Sequence, residues 1–237
     1  MGLFLSEIIN FGGKIMNKTK TKNISVTAML TALAFLLTFV FRFKVAFLTF
    51  DFKDSIISIA SLLFGPLYGV ASAIIVAFIE FISVSDTGIY GLIMNFASSA
   101  TFALAIGTVY KYKRSFSGAI IACVTAVISV SVVMMLANII VTPFYMGVTT
   151  AEVIAQIPTL LLPFNFTKAV MNATALLIIY KPFTTALKKA GLVKTSGDAK
   201  YQLGFKTIML MSVSVIVFIA AVLFLIFVLK GQFTLFK

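Results

Sequence analysis

The feature that most constrains this chain is the length of its uncharged apolar runs: neither residues 117–141 nor residues 207–229 contain a single Asp, Glu, Lys or Arg. A bilayer core about 30 Å thick takes about 20 helical residues to cross, and both runs meet that length. Their apolar residues follow one another without polar alternation, which selects helices over a β-barrel. The whole chain is 61% hydrophobic and 11% charged, too little polar surface for a domain dispersed in water. The expectation is one all-α membrane protein.

Further apolar segments fall at residues 24–41, 55–64, 66–84, 91–110 and 163–180. The second is too short to span alone and ends at Gly65-Pro66, where proline breaks the helix, so a short second helix joined tightly to the third is expected. The organisation is then a basic tail over residues 1–20, a six-helix membrane domain over 21–189, a basic linker over 190–206, and a seventh transmembrane helix with a short tail over 207–237. Met16 reads as an alternative start. No internal repeat is visible. Cys123, the one cysteine, lies within an apolar run, so no internal disulfide forms.

The net charge of +12 carries topology rather than nucleic-acid affinity, because the bases cluster in the connections. With a cytoplasmic N-terminus, the outside connections hold five of the nineteen bases, Arg42, Lys44, Lys53, Lys230 and Lys237, and Lys168 lies within a segment. All the others fall inside, which orients the chain. Residues 142–162 become an outward loop. The sequence has no histidine, no Walker A motif and no serine–histidine arrangement, so neither an enzyme nor a self-powered ATPase is expected.

Polar side chains inside a bilayer are costly unless they meet a partner, a cavity or a ligand. Asn165, Lys168 and Asn172 share one face of the sixth segment. Their donors and acceptors suit a planar heterocycle edged with carbonyls and ring nitrogens; a snorkelling lysine with helix-bridging amides gives the same spacing. Asn95 and Asn138 lie at the same membrane side as Asn165, which favours a shared cavity. In the connection before the second helix, Asp51 is expected near a ligand, Asp54 as a helix cap, and Lys53 in solvent. Glu80 is expected to mark the interface. Ala28 and Ala32, flanked by Thr27 and Thr31, form a small-residue face on the first segment that permits close approach of another helix.

Taken together, several runs are recognisable: Leu48-Thr49-Phe50-Asp51-Phe52-Lys53-Asp54, Phe64-Gly65-Pro66-Leu67-Tyr68-Gly69, Asn95-Phe96, Asn138 with Pro143-Phe144-Tyr145-Met146-Gly147, and Pro163-Phe164-Asn165-Phe166-Thr167-Lys168. In order and spacing they resemble the riboflavin-specific S components (RibU type) of energy-coupling factor (ECF) transporters, over about residues 21–189. The resemblance implies a multi-pass cell-membrane protein, not an enzyme and without a cofactor of its own, that captures riboflavin or FMN from outside. It implies partners too: a transmembrane coupling subunit (T component) and two cytoplasmic ATPase subunits. By the same resemblance Asn95, Asn138, Asn165 and Lys168 line the flavin pocket, the loop around Thr49 and Asp51 gates it, and Ala28 and Ala32 face the coupling subunit. Lys53 and Ser55-Ile56 stand where the family often has serine and proline, and the seventh segment lies outside the likeness. Folate, pantothenate or thiamine as the vitamin, and a self-contained secondary transporter, are the alternatives.

Overall fold

The structure, a computed structural model, describes residues 18–192, 205–230 and 232–233. Most of the basic tail and linker, and Met16, therefore lie outside the described residues. Among the described residues, eight α-helices and a small sheet follow in the order α1 (Lys18–Val40), β1 (Phe43–Val45), β2 (Leu48–Phe50), α2 (Lys53–Phe64), α3 (Pro66–Ser83), α4 (Gly88–Tyr112), α5 (Phe116–Met146), α6 (Thr150–Gln156), α7 (Leu162–Lys189), α8 (Phe205–Phe227) and β3 (Gln232–Phe233). Among the described residues, six helical stretches are long and apolar enough to cross a membrane. Helix α2 is not one of them: its 12 residues rise only about 18 Å. Helices α1, α2, α3, α4, α5 and α7 form the expected six-helix core, and α8 is the seventh long segment.

Gly65 makes the break between α2 and α3, at φ 107°, a conformation that side chains with a Cβ disfavour. Pro66 then opens α3, where its missing N–H costs nothing. The turn packs so tightly on α4 that a Cβ on Gly107 would lie 2.7 Å from the Pro66 Cα. This close approach lets a short helix sit inside the bundle: Ile57, Ile59 and Ala60 of α2 are fully buried. Thr31 on α1 donates to Ser72 on α3 at 2.8 Å, satisfying both hydroxyls in the interior. Ala28 and Ala32 turn the other way and are exposed, while Thr27 and Thr31 are buried. The alanine stripe is therefore separate from the flanking threonines, which pack inward.

Residues 142–162 differ from the expected loop. Helix α5 runs on through Pro143 to Met146 and ends where Gly147, at φ 67°, donates its N–H to the Pro143 carbonyl. A capping box follows, with Thr149 N–H donating to Glu152 Oε2 at 2.9 Å and Glu152 N–H to Thr149 Oγ1 at 3.3 Å, and it starts α6. A wide π-turn, Ile157–Leu161, accommodates Pro158 and runs straight into α7. Local capping chemistry and one proline thus outweigh the breaker-rich composition.

The sheet was not anticipated. Strands β1 and β2 form a hairpin with Lys44 opposite Thr49 and Val45 opposite Leu48, turning at Ala46, which takes φ 51°. β3 pairs antiparallel with the other edge of β1.

Candidate ligand-binding site

The ends of α1, α3, α4, α5 and α7 converge with the hairpin around one cavity of about 290 Å³. That is close to the lower bound, about 300 Å³, of pockets that bury small organic ligands. Thr49, Asp51, Asn95, Asn138, Asn165 and Lys168 all line it, although they come from four different elements and the connection between β2 and α2.

Asn138 and Asn165 are held by their own helical turns, and Asn95 by a neighbouring helix. Asn138 is 1% exposed and donates to the Met134 carbonyl at 2.7 Å, while its Oδ1 accepts from Thr142 at 2.9 Å. Asn165 donates to the Leu161 carbonyl at 2.8 Å, so the π-turn sets the position of a pocket amide. Asn95, half-buried, donates to Glu80 Oε2 at 3.1 Å. Asn172 is different: its Oδ1 accepts from Ser55 N–H at 3.0 Å and its Nδ2 donates to the Asp51 carbonyl at 2.9 Å. It is spent on fixing the start of α2 and does not line the cavity.

Beneath the hairpin runs a chain of alternating charges. Lys168 Nζ lies 3.0 Å from Asp51 Oδ2 and donates also to the Thr49 carbonyl at 3.2 Å. Asp51 Oδ2 is 3.3 Å from Lys53 Nζ, which reaches both Glu80 oxygens at 2.9 and 2.7 Å. Burial by itself would raise the Asp51 carboxyl, but Lys168 and Lys53 outweigh it and bring it down to about 2. Lys53 is therefore not solvated, as its sequence context suggested: it is 1% exposed because two carboxylates neutralise it. Glu80 is likewise no interface marker; it is 3% exposed and bridges Lys53 to Asn95. Asp54 does not cap α2 either. It accepts a hydrogen bond from Ser99 on α4, and the position before α2 belongs to Phe52, whose side chain caps nothing.

At the mouth, Arg42 donates to the Val84 carbonyl at 3.1 Å, and Lys44 donates to Asp86 at 2.5 Å, joining the hairpin side to the α3–α4 loop. Phe47, Tyr90 and Tyr145 complete an aromatic rim, with Tyr145 centred 6.3 Å from Phe47 and 6.2 Å from Tyr90. Sequence reasoning passed over Glu80, Tyr90 and the mouth bases as ligand-side residues. Only the charge of Glu80 within an apolar run signalled it.

The family model described as "ECF transporter, substrate-specific component" matches residues 22–180, most of the chain. The chain belongs to that family. Its members are the substrate-specific parts of transporters and not enzymes, and this S component is a multi-pass membrane protein. It is 28% identical over 189 residues to the riboflavin transporter RibU of Staphylococcus aureus (strain TCH60), a match covering 75% of this chain and 98% of the relative. Against the riboflavin transporter FmnP of Bacillus subtilis (strain 168) it is 26% identical over 173 residues, covering 68% and 91% respectively. A solved S component of a bacterial ECF transporter superimposes with a TM-score of 0.62 at 28% identity, covering 71% of this chain and 99% of that one. The cavity lies inside the shared core. Helix α8 lies beyond the residues that the family model matches.

Proposed function

We propose that this S component captures riboflavin from the outer side of the cell membrane and hands it to an ECF coupling subunit driven by two cytoplasmic ATPases. The observation that carries the reading is the convergence of three carboxamides and a lysine, on three separate helices, in one cavity with an aromatic rim. Asn138 and Asn165 address the polar edge of a flavin ring, the apolar wall with Met134, Val141 and Phe164 buries its faces, and Thr49 and Asp51 receive the ribityl hydroxyls. Two riboflavin transporters among the relatives support flavin over other vitamins. Orientation follows from the bases: the cavity end is outside and the N-terminus cytoplasmic. Ala28 and Ala32, exposed on α1, form the contact with the coupling subunit, where two helix backbones approach closely.

Titrating purified protein in detergent with riboflavin, followed by quenching of flavin fluorescence, tests the reading. Asn165→Ala should weaken binding by about 1–3 kcal/mol, the cost of leaving a buried partner unpaired. Absence of saturable flavin binding by the wild-type protein would remove the reading.

A second reading is favoured by Arg42 and Lys44, which both line the mouth. A phosphate ester arriving there competes with Asp86 for these bases, which makes FMN a substrate as well. Removing Lys44 should then weaken FMN more than riboflavin.

A further inference from the structure

The hairpin covering the cavity is held from three sides. Lys168 grips the Thr49 carbonyl from α7, and Lys44 reaches Asp86 across the mouth. The third hold comes from the C-terminal segment beyond the residues matched by the family model. Helix α8 packs along α7, and Phe218 stacks on Phe52 with ring centres 5.6 Å apart. Phe52 in turn meets Phe50 edge-on at 4.9 Å, and Phe50 is the last residue of β2. Near the end of α8, Leu225 is 0% exposed within a cluster that includes Val45 of β1, Phe50 of β2 and Phe164 of α7. The chain then pairs β3 with β1, Phe43 opposite Phe233 and Lys44 opposite Gln232.

A helix serving only as an anchor has no reason to bury its end under the hairpin. Much of α8 does face outward, with Ile216, Ile219 and Phe227 exposed, as expected of a lipid-facing surface. Its other face packs along α7 and, through Phe218 and Leu225, meets the residues of the hairpin side. For the hairpin to lift, the Phe52–Phe218 contact and the β1–β3 pairing must part along with the ion pairs.

We propose that α8 and β3 are a strap that holds the β1–β2 hairpin over the cavity, with Phe218 and Leu225 as positioning residues that slow ligand entry and exit. The ligand's identity rests on the reading above; the strap does not. The first test therefore needs no ligand. Hydrogen exchange at the amides of residues 43–50 is followed in full-length protein carrying Phe218→Ala and Leu225→Ala. Exchange on the order of tenfold faster than wild type is expected, because local opening loses its apolar hold. Equal exchange overturns the proposal.

A second form of the protein guards against a merely damaged helix. Phe43→Cys with Phe233→Cys, in a Cys123→Ala background, is oxidised to lock the strap, and exchange is measured before and after reduction. Slower exchange in the oxidised form, reversed by reductant, supports the strap; identical rates overturn it. Stopped-flow dissociation of bound riboflavin should follow the same order: locked slowest, alanine variant fastest. Flavin release indifferent to the lock, in protein that binds flavin, removes the link to ligand exchange. Hairpin protection that responds to the lock in protein that binds no flavin counts against the flavin reading alone.

Discussion

Replacing Lys53 by methionine should be among the most damaging single changes in the chain. Its ammonium lies 2.7 Å from a Glu80 oxygen, and both side chains are nearly inaccessible. At that separation and an effective dielectric of about 20, the gross attraction is about 6 kcal/mol. Desolvating two ions cancels much of it, so the pair as a whole contributes little net stability. Removing one partner is another matter, because Glu80 keeps its burial and loses its cation. The expected cost is about 3–5 kcal/mol. At about 2–4 °C per kcal/mol for a domain of this size, the melting temperature should fall by about 6–20 °C.

Cys123 offers the assay. It is the one cysteine of the chain and is 3% exposed, so a thiol-reactive fluorophore reports unfolding in detergent directly. The control is Lys53→Met with Glu80→Gln, which removes the stranded charge but keeps an acceptor for Asn95. That double variant should regain at least half of the lost melting temperature, giving a coupling of about 2 kcal/mol or more. A single variant that melts within about 2 °C of wild type, or a double variant as unstable as the single, would refute the reasoning.

The Asp51 carboxyl is depressed from its ordinary 3.8 to about 2, so its contribution to stability is fully present above pH 3.8 and is lost as pH falls toward 2. Melting temperature should show no step from this group between about pH 5 and 8, and Asp51→Asn should flatten the acid limb. Ala28→Leu with Ala32→Leu should abolish energised uptake in cells carrying the whole transporter while leaving riboflavin affinity of the isolated protein within about twofold, as fluorescence titration would read. Asn138→Leu should weaken riboflavin by about 1–3 kcal/mol and leave the Thr142 hydroxyl seeking a new acceptor, which the same titration measures. FMN affinity should fall more steeply with added salt than riboflavin affinity, since screening weakens an exposed mouth more than a buried floor.

The transmembrane helices were legible because hydropathy and length report them directly, and Gly65-Pro66 announced the short α2 in plain sequence. Residues 142–162 were misread because turn-forming residues carry opposite meanings by position. Pro143 lies near the end of a helix, Thr149 with Glu152 starts one, and Pro158 sits in a π-turn that continues into the next. The hairpin was invisible for a simpler reason. Three-residue strands give no usable alternation, and β3 pairs with a strand nearly two hundred residues earlier.

The site divides along the same line. Asn138, Asn165 and Lys168 stood out because each is a polar group in an apolar run, and the fold does bring them to one cavity. What sequence could not supply was pairing. Lys53 beside two aspartates reads as a solvated loop, and Glu80 near the end of a span reads as an interface, until α2 turns inward and places their charges in contact. That inward placement explains why the connection can carry so much charge at all: Asp51, Lys53, Glu80 and Lys168 neutralise one another in series from α7 to α3. The series ends on Asn95, so the same charges that make a buried loop tolerable also fix an amide on the cavity wall. Stability and ligand geometry therefore share side chains here, and a ligand that drew Lys168 away from Asp51 would be felt as far as Asn95.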